Sequence, residues 1–121
     1  MKTDSKINLI TENSFRLGFL FAVTVNDLEK ILTHLQQNNF EKSEYLMKQD
    51  FSQRFILMEK IFKKLLFYNS ITDDEFAHTQ LFLQDSQKLM ESALVELTET
   101  QKLDSRKISK IEELLKNLND F

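Results

Sequence analysis

The chain is predicted to be all-α, and three observations carry that prediction. Proline is absent and Gly18 is the only glycine in 121 residues, which removes the residues that hairpins and tight loops need. Apolar side chains recur at three- and four-residue steps, the period that places them on one helical stripe. The interruptions are short and polar, "QQNN", "NSITDDE" and "TETQKLDS", so consecutive helices should fold back on one another. The expected architecture is an antiparallel bundle of three long helices, at about 13–36, 40–68 and 72–100, plus a short C-terminal helix at about 105–119. A polar tail at 1–12 precedes a single helical domain at 13–121, the size of an ordinary domain.

The first helix is expected to start after "TENS", with Asn13 or Ser14 as its cap. Leu17, Phe21, Val25, Leu28, Leu32 and Leu35 then mark its stripe. Asparagines at 38 and 39 end it, because asparagine favours turns over helix interiors. The second helix carries Phe40, Met47, Phe51, Phe55, Met58, Phe62 and Leu65 on one side, the seam that packs on partner helices. Thr72 and Glu75 fit the Thr-x-x-Glu capping box that opens the third helix. Its stripe is Phe76, Leu83, Met90, Leu94 and Leu97, and the same frame meets polar Gln101 and Asp104 before Ile108, Ile111, Leu115 and Leu118. The two polar residues predict a break or a weakly held segment there. A helix of about 15 residues is marginal alone in water, so the last one must dock.

Composition narrows the function. With no cysteine there is neither a disulfide framework nor a thiolate metal site, and a cytoplasmic location is the expectation. The net charge of −3 arises from interspersed Lys and Glu, which argues against direct nucleic-acid binding. The most apolar run, "FRLGFLFAVTV", contains an arginine and is about half the length a membrane span needs. His34 and His78 lie on different predicted helices without ligand spacing, so no metal is expected. Phosphate-cradling loops need glycines that the chain lacks, and no catalytic or cofactor-binding residue is assigned. "TDDE" reads as acidic residues favouring a helix dipole. The expectation is a protein that is not an enzyme and uses no cofactor.

The informative residues are apolar side chains off the core stripes. At about 100° per residue, placing Phe55 in the core puts Leu46, Leu57 and Tyr68 nearly opposite, with Ile56 and Phe67 on a flank and Lys60 and Lys64 beside them. Leu81 and Val95 lie off the stripe of the third helix, and Phe15, Phe19 and Val23 off that of the first. Together they suggest a second apolar surface, the usual mark of partner or oligomer contacts. The expected partner-binding residues are Leu46, Ile56, Leu57, Ile61, Phe67, Leu81 and Val95. A bundle that sandwiches its second helix would instead make several of them ordinary core. Met47, Met58 and Met90 suit either an adaptable groove or a core.

The segment "NNFEKSEYLMKQDFSQRFILMEKIF" resembles the FliT-like flagellar export chaperones: an aromatic (Phe40) after a polar break, an arginine (Arg54), Leu57-Met58 behind it and Ile61-Phe62 closing. "FLQDSQKLMESALVELTETQKL" and the short final helix are similar in organisation to that family's third and fourth helices, so the resemblance covers about residues 25–118. It implies a cytoplasmic type III export chaperone that binds the C-terminal region of an export substrate such as the filament-cap protein. It further implies delivery to the export ATPase complex and contact with a transcriptional regulator. In that family the last helix can cover the binding surface, a role that would fall to Ile108, Ile111, Leu115 and Leu118 as an autoinhibitory face. The alternative is a homo-oligomeric helical adaptor, a homodimer whose interface buries Phe15, Phe19 and Val23.

Overall fold

The computed structural model describes residues 2–49 and 51–120, with side chains from Ser5 onward; Met1 and Phe121, the outer ends of the expected tail and domain, lie outside the described residues. All regular structure among them is helical: α1 (Lys2–Gln36), α2 (Phe40–Met47), α3 (Gln53–Phe67), α4 (Asp73–Thr100) and α5 (Ser105–Asn119). Two boundaries differ from expectation. The segment read as a polar tail is the start of α1, and Asn13 is no cap: it sits inside the helix, where its Nδ2 donates to the Leu9 carbonyl at 2.8 Å. Residues 5–9 are exposed, so no apolar stripe advertises them. Once a helix is nucleated, adding polar residues without Gly or Pro costs little.

The single helix expected at 40–68 is two helices, α2 and α3, joined by a turn. The predicted stripe survives the break, because Met47, Phe51, Phe55, Met58, Phe62 and Leu65 are all buried. Around the turn the backbone tightens into three-residue bonds, from Gln49 N–H to the Leu46 carbonyl, Arg54 N–H to Phe51 and Phe55 N–H to Ser52. The Phe51 and Phe55 rings meet edge to face at 5.8 Å, and the Arg54 guanidinium lies over the Phe51 ring at 5.3 Å. Tertiary packing of Phe51 thus overrides a periodicity that reads as unbroken.

The later elements fall where the periodicity puts them. Glu75 N–H donates to Thr72 Oγ1 at 3.1 Å and Thr72 N–H donates to Glu75 Oε1 at 3.0 Å, completing the capping box at the start of α4. The helix ends on Gln101 in the left-handed conformation (φ 58°), a common helix stop. Asp104 then caps α5 by accepting from Arg106 N–H at 2.7 Å.

The core draws on every helix: Leu28, Ile31 and Leu35 from α1, Met47 from α2, Phe55, Met58 and Leu65 from α3, Leu83, Met90 and Leu97 from α4, and Ile111, Leu114 and Leu118 from α5. Among the described residues the backbones of α1 and α4 each run close to α2, α3 and α5 but not to each other, and the backbone of α5 runs close to neither α2 nor α3. The last helix is therefore wedged between α1 and α4, across the core from α2 and α3. Glu96 ties its entry down, accepting from the Asp104 N–H at 2.7 Å and from Lys107 Nζ at 3.2 Å.

Candidate protein-binding surface

On α1 a four-residue step carries Phe15 and Phe19 to the same side of the helix, and both stay in solvent at 77% and 64% exposure. Burying them would have to come from another helix, and the one alongside is α3. There Leu57, Lys60, Ile61 and Lys64 follow one another at three- and four-residue steps, so they line one edge. Between the two helices runs a groove of about 330 Å³, lined by Phe15, Arg16, Phe19 and Leu20 from α1 and by Leu57, Lys60, Ile61 and Lys64 from α3. Its walls are apolar and its polar rim is cationic.

Arg54 and Asp27 set the register that makes this groove. Their side chains pair, and Arg54 Nη1 also donates to the Val23 carbonyl at 3.4 Å, locking the start of α3 to the middle of α1. Phe21 and Phe62 meet edge to face at 6.4 Å further along. With those contacts fixed, Leu57 and Ile61 come level with Leu20 and Phe19. The arginine named in the family resemblance is thus a clamp rather than a groove residue.

The expected partner-binding residues separate into distinct places. Leu57 (45% exposed) lines the groove, and Ile61 is corrected to core, buried at its floor with 3% exposure. Leu46 is also corrected, since it is half-buried and packed against the core. Ile56 is half-buried. Phe67, at 80% exposure, follows Lys64 by one turn with its ring edge-on to Tyr68. Leu81 and Val95 are exposed on α4 and do not line the groove, so they are solitary surface side chains.

The four residues expected to form an autoinhibitory face are docked on the rest of the chain. Ile111 and Leu118 are core, and Ile108 and Leu115 are half-buried against it. In this position α5 packs on α1 and α4, across the core from Leu46, Ile56, Leu57 and Phe67 and alongside the helix that carries Leu81 and Val95. Its apolar stripe completes the core.

The remaining polar features lie elsewhere. A hollow of about 510 Å³ between the α1–α2 turn and the end of α4 is lined by Asn38, Asn39, Phe40, Glu41, Glu44 and Gln101. The Glu44 carboxyl is held below its ordinary value by the hydrogen bond from Lys48, with a smaller contribution from Thr98. No nucleophile and base converge there. His34 and His78 sit on different helices, α1 and α4, and His78 Nδ1 is 2.7 Å from the Asp74 carbonyl of its own helix. Among the described residues no His, Cys, Asp or Glu cluster is placed to hold a metal, and no helix is long and apolar enough to cross a membrane.

No family model matches the chain, and no curated protein or solved structure is found to be similar to it. The reading of the site therefore rests on its own geometry. Arg16 and Leu20, which sequence reasoning did not single out, belong to it. The signal for them is the Arg54–Asp27 pairing, because that register alone brings their turn of α1 beside Leu57 and Lys60.

Proposed function

We propose that this protein is a non-enzymatic, cytoplasmic helix-binding chaperone of the flagellar type III export kind, which holds the C-terminal helical region of an export substrate such as the filament-cap protein. The observation that carries the proposal is the α1–α3 groove, where Phe15, Phe19 and Leu57 stay exposed beside the buried Ile61. Large exposed aromatics in a concave apolar site suit the helix-in-groove mode, in which a partner inserts side chains at i, i+3, i+4 and i+7. The contact pairs Ser43 with Ile31, Arg54 with Asp27 and Phe62 with Phe21 run in opposite directions along the two stretches of chain, which supports an antiparallel arrangement of these helices. Delivery to an export ATPase complex and contact with a transcriptional regulator belong to the same proposal.

Affinity capture from native cell extract, comparing the wild-type chain with Phe15→Ser/Phe19→Ser, tests this reading. A helical export substrate recovered by the wild type and lost in the variant supports it. Recovery of only unrelated proteins, equally by both, would remove it. A homodimer is the second reading, favoured by the same exposed Phe15 and Phe19. Light scattering separates the two, since a dimer that dissociates in the double variant has its groove already occupied.

A further inference from the structure

The groove is apolar along its length and positively charged along its edges. Arg16 stands on the α1 side, and Lys60 and Lys64 on the α3 side, and among the described residues none of the three forms an ion pair. No carboxylate lines the groove; Glu12, one turn before Arg16 on α1, makes no ion pair with it. The chain as a whole is acidic, with a net charge of −3, so a cationic rim around the exposed Phe15 and Phe19 is a local reversal of sign. Cations flanking an apolar trough are electrostatically complementary to one kind of helix, apolar on one face and acidic on both flanks of that face. From Leu57 to Lys64 the groove rises roughly 10 Å, the reach of an i to i+7 anchor set on a docked helix.

We infer that the α1–α3 groove binds an acidic amphipathic helix of a protein partner, with Phe15, Phe19 and Leu57 taking its apolar face and Arg16, Lys60 and Lys64 pairing its flanking carboxylates. This deepens the helix-binding reading and rests on it. A second copy of the chain fits poorly, because a two-fold contact through this patch sets the same cations against one another. Specificity follows from the same charges, since the other hollow with an apolar lining, between α4 and α5, mixes Lys88, Lys107 and Lys110 with Asp85 and Glu113, whereas no carboxylate lines the α1–α3 groove.

Fluorescence anisotropy on the full chain tests the inference with two labelled peptides of about 18 residues, long enough for five turns. Both carry Leu at helical a and d positions; one has Glu on the flanks and the other Lys. The Glu peptide should bind, the Lys peptide should bind at least about tenfold more weakly, and raising salt from about 0.1 to about 1 M should erase most of the difference. Lys60→Glu/Lys64→Glu, at exposed positions, should invert the preference while the circular dichroism spectrum stays helical. Equal binding of both peptides, or no change in preference in the variant, overturns the inference. So does capture of phosphatidylserine vesicles in place of the Glu peptide, which would make the patch a lipid-binding face. A native helical client whose binding ignores Lys60→Glu/Lys64→Glu overturns the acidic-partner claim and leaves helix binding intact. Loss of every helical client removes both.

Discussion

Gly18 lies within α1, and a methyl group added to it would meet nothing within 4 Å. The residue therefore brings the entropic cost of a helix-interior glycine without a close packing contact to justify it. Gly18→Ala should stabilise the protein by about 0.5–1 kcal/mol in urea unfolding, and a loss of stability would show that α1 bends or opens there. Arg54 has the opposite character. It serves the Asp27 carboxylate, the Val23 carbonyl and the Phe51 ring at once, so Arg54→Ala should cost about 2–3 kcal/mol. Lysine should not restore it, because its ammonium lacks the planar group that lies over the Phe51 ring while reaching Asp27 and the Val23 carbonyl. At the start of α4, Thr72→Ala should cost about 1 kcal/mol by loss of the cap. Glu75, held below its ordinary value of 4.5 chiefly by the Thr72 backbone N–H and then by the Thr72 hydroxyl, adds a pH dependence. Because its folded value is lowered, its contribution is complete at neutral pH and is lost as the pH falls through the acid range below that value. Urea titrations at a series of pH values should show a shallower acid slope for Glu75→Gln, whose amide keeps the capping geometry without titrating.

At the scale of the element, α5 and the α2–α3 break carry the main lessons. Ile111 is fully buried between α1 and α4, so Ile111→Ala should cost about 2–5 kcal/mol, a large share of the stability of a domain this size. Removing residues 105–121 should abolish cooperative unfolding rather than merely open a binding face, and a cooperative transition in that truncation would restore α5 as a detachable cover. The limits of α5 were legible beforehand because two polar residues interrupt an otherwise regular frame, and the capping box placed the start of α4. The split between α2 and α3 was not legible. Its stripe keeps its period through Met47, Phe51 and Phe55, and the turn goes with the burial of the Phe51 ring against Phe55 and under the Arg54 guanidinium. The start of α1 was missed for the converse reason, since residues 5–9 face solvent and leave no apolar periodicity to read.

At the scale of the whole molecule, the off-stripe apolar residues were visible in the sequence but their grouping was not. A helical projection shows which side of its own helix a residue occupies, and only interhelical register shows what stands opposite. The packing of the helices brings Phe15 and Phe19 beside Leu57 and Ile61, leaves Leu81 and Val95 outside that groove on α4, and sets α5 across the core from α3. One face is thereby left apolar, concave and rimmed with cations alone, while the hollow between α4 and α5 carries Asp85 and Glu113 among its lysines. The most direct test of the account is an amide chemical-shift map of the labelled protein titrated with the helical segment of its captured client. The account predicts shifts concentrated at Phe15, Arg16, Phe19, Leu57, Lys60 and Lys64; shifts confined to α4 and α5, with that groove silent, would contradict it.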